Sequence, residues 1–186
     1  MPGYLLNWKR ADDGDRKRIE QQASKHLFWW DDLIRESALT QSGSPVFRSW
    51  SVHNTKRIQF GSPVFLIAQG GISDGIVASG FAAQPPKGET PLGEESVVYV
   101  DSGWKPGGPS NYLRVKFDAI LDVRSHPEIA LHTNDLMGGD LSMMHWKTER
   151  PGIEIKPKAK FHSNSNLLPQ LELLWQRNLE RITARA

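Results

Sequence analysis

The chain has 186 residues, of which 38% are hydrophobic and 24% are charged, proportions typical of a soluble globular domain with a substantial core. The formal net charge of +2 is too small to require a nucleic-acid partner, although lysines and arginines are locally dense. Seven tryptophans are many for this length. Where they lie is therefore the main functional question.

Several kinds of site are excluded by the residues that are missing. The chain has no cysteine, which excludes disulfides and thiolate metal sites and agrees with a reducing, cytoplasmic location. No apolar run approaches the ~20 residues that span a bilayer, and the first residues lack the pattern of a secretory signal, so we expect no membrane partner. The six histidines are not spaced as helical metal ligands, and phosphate-loop, nucleophile-elbow and nuclease motifs are absent. We expect no metal, cofactor or catalytic residue in this chain.

The first quarter of the chain predicts one strand and a charged surface helix. Residues 4–8 are apolar with strand character, and Trp8 at their end is expected in the core. Residues 16–25 lack a strong apolar stripe, so their helix would lie on the surface. Trp29 and Trp30 follow, and one of the pair must face away from the other apolar side chains. A loop is expected over 39–45, which is rich in Ser, Gly and Gln.

The middle of the chain, residues 47–82, predicts a core hairpin preceded by a loop. Two apolar runs, 64–68 and 75–82, flank a Gly-rich turn, which is typical of a β-hairpin. The preceding loop, 49–57, carries an aromatic ring, hydrogen-bonding groups and two cations. The loop could bind one flat ligand, and the hairpin would be its rigid support.

The second half predicts further strands and a final helix. Short strands are expected over 97–100 and 112–117, separated by Gly/Pro-rich loops. The final helix is expected from about Asn166, with Ser165 as its cap and Trp175 on its apolar stripe. With no internal repeat and no clear linker, residues 1–186 are expected to form a single domain, whose C-terminal helix, 165–184, could lead into a connector. The element order predicts an α+β fold around a curved or closed sheet.

Trp29 and Trp30 form a pair, and Trp50 and Trp104 lie in or beside predicted loops. Packing explains any one of them alone, but two or three together, beside hydrogen-bonding groups, could sandwich an unstacked base. A nearby carboxylate could accept from the amino group of cytosine, although a solvated position is the more ordinary role of any one of Asp31, Asp32 and Asp101. The candidate pocket residues are Trp29, Trp30, Asp31, Trp50, Ser51, Asn54 and Trp104.

Basic residues near these loops are candidate phosphate contacts. Such contacts fix position rather than sequence, and binding through them weakens with salt. The densest run spans 156–160, and a solvated loop explains that run about equally well. The candidate backbone contacts are Lys56, Arg57, Lys87, Lys105, Lys156, Lys158 and Lys160.

Six short segments, in order and spanning nearly the whole chain, resemble EVE domains of the PUA-like group. Ser62 stands where that family usually has Asp, and Pro151 stands where it has a small Ser. The segments are YLLNW (4–8), WWDDL (29–33), WS…KRI…GSPVFL (50–66), GIVASG (75–80), YLRVKFD (112–118) and HW…PGIEI (145–155).

The resemblance implies a PUA-like, partly closed β-barrel or strongly curved mixed sheet flanked by helices, with a pocket for a modified base. The Trp-Ser pair is also similar to that of YTH domains, which cage methylated adenine. That similarity implies Trp50 as a cage wall and Ser51 as a polar contact. Trp30 and Trp104 are the next implied walls, with Trp29 as a substitute for Trp30.

EVE domains also occur fused to HNH nucleases that cut DNA carrying modified cytosine. This chain contains no nuclease segment, so the resemblance implies the reader part of a restriction enzyme, not an enzyme in itself. Its implied partners are double-stranded DNA with 5-methylcytosine or 5-hydroxymethylcytosine and a fused or associated nuclease. The alternatives are an RNA reader of N6-methyladenine or another modified base, and a small-molecule-binding barrel or enzyme.

Overall fold

The computed structural model of the chain describes residues 1–9, 29–69, 74–100, 111–147, 151–161, 163 and 165–184, and for residues 9 and 29–31 it describes the backbone alone. The described residues form two α-helices and eight strands. These are β1 (Tyr4–Lys9), α1 (Trp29–Gln41), β2 (Val46–His53), β3 (Pro63–Gln69), β4 (Gly75–Ala83), β5 (Val98–Val100), β6 (Asn111–Ile120), β7 (Leu131–His132), β8 (Ile153–Glu154) and α2 (Leu168–Thr183). Short 3₁₀ helices lie at Pro127–Ile129, Asp135–Met137, Gly139–Met143 and Ala159–Phe161.

The predicted hairpin is confirmed and lies in the middle of one mixed sheet. Strands β3 and β4 pair antiparallel in the order β2-β6-β4-β3-β1-β8, and β1 runs parallel to β3. The ladder between β4 and β6 shifts register at Ser79 and Gly80. A Cβ on Gly80 would lie 2.2 Å from the carbonyl oxygen of Lys116, so glycine is required for β4 to approach β6 this closely.

The sheet curls until β2, at one end of the strand order, meets β1 near the other. The indole N–H of Trp50 donates to the carbonyl oxygen of Asn7 at 3.0 Å, and the Tyr4 hydroxyl donates to the carbonyl oxygen of Arg57 at 3.0 Å. We call this line of contact, residues 50–57 against residues 4–7 and 151–152, the seam. Because side chains bridge the seam, the molecule is a partly open α+β barrel, as predicted.

The barrel interior is filled from alternate positions of the strands. On β6, Leu113, Val115 and Phe117 are fully buried while Lys116 and Asp118 are exposed, the period of two that a half-buried strand requires. Helix α2 packs on the opposite face, where the ring of Trp175 meets that of Phe65 edge to face. Trp8 and Trp175 are 3% and 4% exposed, which confirms both as core residues.

Helix α1 is fixed to β2 by a charged cluster. The Arg48 guanidinium donates to both carboxylate oxygens of Glu36 and, at 2.6 Å, to Asp32. The Glu36 side chain is only 4% exposed. Arg48, and then Arg35, hydrogen-bond to the Asp32 carboxylate and lower its pKa.

Some local predictions were wrong. Trp50 lies within strand β2 and not in a loop, because its segment pairs along its length with β6. Helix α1 runs to Gln41, into the predicted loop 39–45. Helix α2 begins at Leu168, and Ser165 does not cap it; the Asn166 side chain instead accepts from the Leu168 N–H at 3.2 Å. The predicted surface helix over 16–25 falls outside the described residues.

Candidate nucleic-acid interface

The turn that follows β2 is held at the seam by three hydrogen bonds. The Thr55 N–H donates to the carbonyl oxygen of Val52, and the Thr55 hydroxyl donates to that of Gly152 at 2.8 Å. Asn111, at the start of β6, donates its side-chain amide to the carbonyl oxygen of Thr55 at 2.9 Å. Three separate parts of the barrel thus hold one short turn.

The same turn has an unusual backbone. The β2–β6 ladder is irregular between Ser51 and His53, and His53 has a φ of +52°, in the left-handed region that few residues other than glycine adopt. As a result, His53 and Asn54 project into solvent while Val52 is fully buried. Strain of this kind persists only where the surroundings fix it, and such sites are often binding sites.

Two predicted phosphate contacts continue from this turn. Lys56 and Arg57 have exposed side chains, and their backbone carbonyls accept hydrogen bonds from the hydroxyls of Ser96 (2.8 Å) and Tyr4 (3.0 Å). The backbone is therefore anchored while both cations stay in solvent. We call residues 53–57 the basic turn.

Lys156 lies at the same end of the barrel. Its ammonium pairs with Glu154 at 2.9 Å, with both side chains well exposed. Glu154 is opposite Tyr4 in the β1–β8 ladder, and Tyr4 in turn bonds to Arg57. Burial, and then the charge of Glu154, raise the pKa of the Tyr4 phenol. Tyr4 and Glu154 thus connect the basic turn to Lys156.

In the described part of the chain, no hydrogen bond or ion pair links Lys87, Lys158 or Lys160 to this group. Lys87 is exposed in a turn between β4 and β5. Lys158 donates its backbone N–H to Met143, and the Lys160 ammonium lies 4.9 Å from the ring centroid of Phe161. Lys56 and Arg57 of the basic turn, together with Lys156, are therefore the predicted cations that the described contacts connect.

Trp50 is a buried residue of the seam. It is 3% exposed, its indole N–H is bonded to Asn7, and its ring meets Phe117 edge to face at 6.5 Å. Ser51, the next residue, is half-buried and faces the opposite side of β2, across from Tyr112 on β6. Trp50 thus fixes the strand on which Ser51 is presented.

The side chains of the remaining pocket candidates are not described. Trp104 and Lys105, with Asp101, belong to 101–110, which the structure does not describe. Trp29, Trp30 and Asp31 form the first residues of α1, but their side chains are not described. The residues that flank 101–110 are described: Val100 pairs with Asn111, and Asn111 pairs with His53. Asn111 therefore lies beside the basic turn, and Val100 lies one strand further away.

Sequence reasoning missed the anchoring groups of the basic turn. Thr55, Ser96 and Asn111 are short polar residues in or beside loops, and nothing in their spacing marks them. Their partners are 97, 40 and 56 residues away in the chain, and contacts of such long range cannot be derived from local patterns.

Other classes of site find no support in the described part of the chain. It holds no group of three or more His, Cys, Asp or Glu side chains that could bind a metal ion. Neither of its described helices combines the length and apolar character needed to cross a membrane.

Comparison of the chain with family models, with curated proteins and with solved structures finds no match. The basic turn and its anchors are therefore interpreted from their own chemistry and geometry.

Proposed function

We propose that this chain is a reader of modified bases, which binds DNA and takes 5-methylcytosine or 5-hydroxymethylcytosine out of the duplex into a pocket beside the basic turn. The observation that supports this most is the anchoring of the basic turn by Asn111. Asn54, Lys56 and Arg57 are the neighbours of Thr55, whose carbonyl oxygen accepts that hydrogen bond, and Asn111 itself pairs with His53 on β2.

The side chains have separate roles in this proposal. Lys56, Arg57 and Lys156 contact phosphates and set the register of the duplex. Ser51 and Asn54 offer hydrogen bonds to the edge of an extruded base, and aromatic stacking contributes about 1–3 kcal/mol per base. Trp50 acts as a positioning residue for Ser51, because its own ring is only 3% exposed. Strand cleavage belongs to a fused or associated nuclease.

Binding to matched oligonucleotides tests the proposal. Duplexes that differ only in one modified cytosine should differ in affinity, and the plain duplex should bind more weakly. The same titration includes single-stranded RNA with and without N6-methyladenine, which tests the rival RNA reader. Equal affinity for modified and plain DNA, and for modified and plain RNA, would defeat the reader hypothesis in both forms.

Two kinds of variant separate the roles. Lys56→Ala, Arg57→Ala and Lys156→Ala should weaken binding to modified and plain duplexes alike, and each should lower the slope of log affinity against log salt by about 0.9. Lys56→Ala and Arg57→Ala keep the main-chain carbonyls that accept hydrogen bonds from the hydroxyls of Ser96 and Tyr4. Asn54→Ala should instead reduce the preference for the modified base.

A matched control tests whether any lost cation has the same effect. Arg177→Ala removes an exposed cation from α2, outside the basic turn, and should leave the affinity and the salt slope unchanged. An equal loss in Arg177→Ala and Arg57→Ala would show that the binding depends on net charge alone, and would remove the basic turn from the proposal.

A further inference from the structure

Two phenylalanines stand exposed on the outer face of the sheet, on either side of one lysine. Phe47 on β2 and Phe81 on β4 are both directly opposite Lys116 of β6, the strand that lies between them. Phe47 is 45% exposed and Phe81 is 44% exposed. Apolar side chains that are exposed singly need no explanation, whereas two rings aligned in one row form a surface that a partner can cover.

The cations of β6 are interleaved with these rings. Arg114 shares the face of Lys116 because side chains alternate along a strand, and its guanidinium carbon lies 4.6 Å from the centroid of the Phe47 ring, a cation–π contact. Among the described residues, neither Arg114 nor Lys116 pairs with a carboxylate. Both charges are therefore available to an anionic ligand. We call Phe47, Phe81, Arg114 and Lys116 the sheet platform.

The backbone beneath the sheet platform fixes the spacing of its rings. Strand β6 pairs with β2 on one side and with β4 on the other, so Phe47 and Phe81 are two strand spacings apart, about 10 Å. This distance leaves room for one planar group on each ring, with the Lys116 ammonium between them. Because all three strands are held in ladders, little order has to be imposed on the protein when a ligand binds.

The surface charge changes sign at the end of the sheet platform nearest α2. Asp118, which follows on the same face of β6, accepts a hydrogen bond from the Ser79 hydroxyl at 3.0 Å. With Glu172 it lines the groove between α2 and the sheet. A phosphate is repelled at that end and attracted over Lys116 and Arg114. An anionic chain would therefore cross the sheet at Lys116 and turn toward Arg114, away from α2.

We propose that the sheet platform binds single-stranded nucleic acid without sequence preference. Every base has a planar face that can stack on Phe47 or Phe81, and the cations contact the phosphates between the bases. An acidic peptide matches the charges alone, and a duplex keeps its bases inside the stack. The basic turn begins at His53, about 20 Å from Phe47 along β2. The inference therefore goes beyond the base-reading proposal and does not depend on it.

Fluorescence anisotropy with labelled oligonucleotides tests this inference. The probe is a thymidylate of about ten nucleotides, long enough for one binding site, and a uridylate of the same length replaces DNA by RNA. Saturable binding of either one that depends on both rings supports the inference. Phe47→Leu and Phe81→Leu should each weaken binding at least about fivefold, the lower end for one base stacked on an aromatic ring. Leucine stays apolar but has no flat face, and urea unfolding checks that both variants are folded.

Further variants separate charge from stacking and locate the site. Lys116→Gln should lower the slope of log affinity against log salt by about 0.7, the value for one phosphate contact with a single strand. Phe161→Leu is the matched control, because that ring is 42% exposed and lies 4.9 Å from the Lys160 ammonium, but outside the sheet platform. It should leave the affinity for thymidylate unchanged.

Duplexes with and without one modified cytosine are titrated in parallel, so that the two proposals can fail separately. Any preference for the modified duplex should persist in Phe47→Leu, because the basic turn is intact in that variant. A parent protein without this preference, whose thymidylate binding is nevertheless weakened by Phe47→Leu, would remove the base-reading proposal and support the sheet platform.

Three results would overturn the inference. The first is an affinity for thymidylate and uridylate that the double variant Phe47→Leu, Phe81→Leu leaves unchanged. The second is an equal loss of affinity in the Phe161→Leu control. The third is displacement of the labelled thymidylate by polyglutamate as readily as by unlabelled thymidylate of equal charge, which would make the surface a site for an acidic protein.

Discussion

Replacing Trp50 by phenylalanine tests whether this tryptophan holds the barrel together at the seam. The change removes the indole N–H that donates to Asn7 across the seam, which costs about 0.5–1.5 kcal/mol. The smaller ring leaves a void of at most about 40 Å³, which at ~24 cal/mol per Å³ costs about 1 kcal/mol. The edge-to-face contact with Phe117 can persist. We expect the free energy of unfolding to fall by about 2 kcal/mol, within the usual stability of a domain.

Urea unfolding followed by circular dichroism measures this change, because tryptophan fluorescence would itself be altered by the substitution. Tyr4→Phe removes another hydrogen bond of the seam and should lower the free energy of unfolding by about 1 kcal/mol. Phe60→Leu, at a residue that is 59% exposed, should stay within about 0.5 kcal/mol of the parent chain. A Trp50→Phe protein as stable as the Phe60→Leu control would refute the bridging role of the indole N–H.

The same reasoning affects the use of Trp50→Ala as a functional test. Deleting a buried tryptophan ring costs about 3–5 kcal/mol, a large share of the stability of a domain. A lost preference for modified DNA in that variant would not distinguish a missing pocket wall from an unfolded barrel. Trp50→Phe and Asn54→Ala are therefore the sharper tests.

Three further predictions concern stability. Gly80→Ala should lower the free energy of unfolding, measured in urea, by at least about 3 kcal/mol, because the new Cβ would meet the backbone of Lys116 and Phe117. A loss of less than about 1 kcal/mol would contradict the close approach of β4 to β6. Arg48→Met should lower the free energy of unfolding by about 2–3 kcal/mol, because it removes the guanidinium that compensates the Glu36 carboxylate, which is only 4% exposed. Thermal melts should show no such loss for the control variant Arg177→Met. The lowered pKa of Asp32, caused first by its hydrogen bond from Arg48, stabilises the fold above the unfolded value of 3.8, and this contribution is lost as the pH falls through the lower folded value. The stability difference between the parent and Arg48→Met should therefore narrow below about pH 4, and a gap that stays constant down to pH 2 would contradict the pairing.

Local patterns were sufficient to predict much of the architecture. The two apolar runs of the central hairpin, the alternation along β6 and the apolar stripe of the final helix are all short-range signals. They depend on side-chain periodicity, which the chain imposes before any tertiary contact forms. Trp175 lies on the apolar stripe of the final helix and Trp8 near the end of β1, and both were correctly assigned to the core.

Only the tertiary structure decided where Trp50 and the basic turn lie. Trp50 stands among polar and basic residues, so its segment alone favours a loop, but pairing with β6 makes it a strand. Its burial depends on the curl of the sheet, which brings β2 against β1 across 43 residues of chain. The contact between Trp175 and Phe65 likewise exists only because α2 packs on a strand far from it in the sequence. Periodicity determines which face of an element is apolar, whereas the closure of the barrel determines what that face meets.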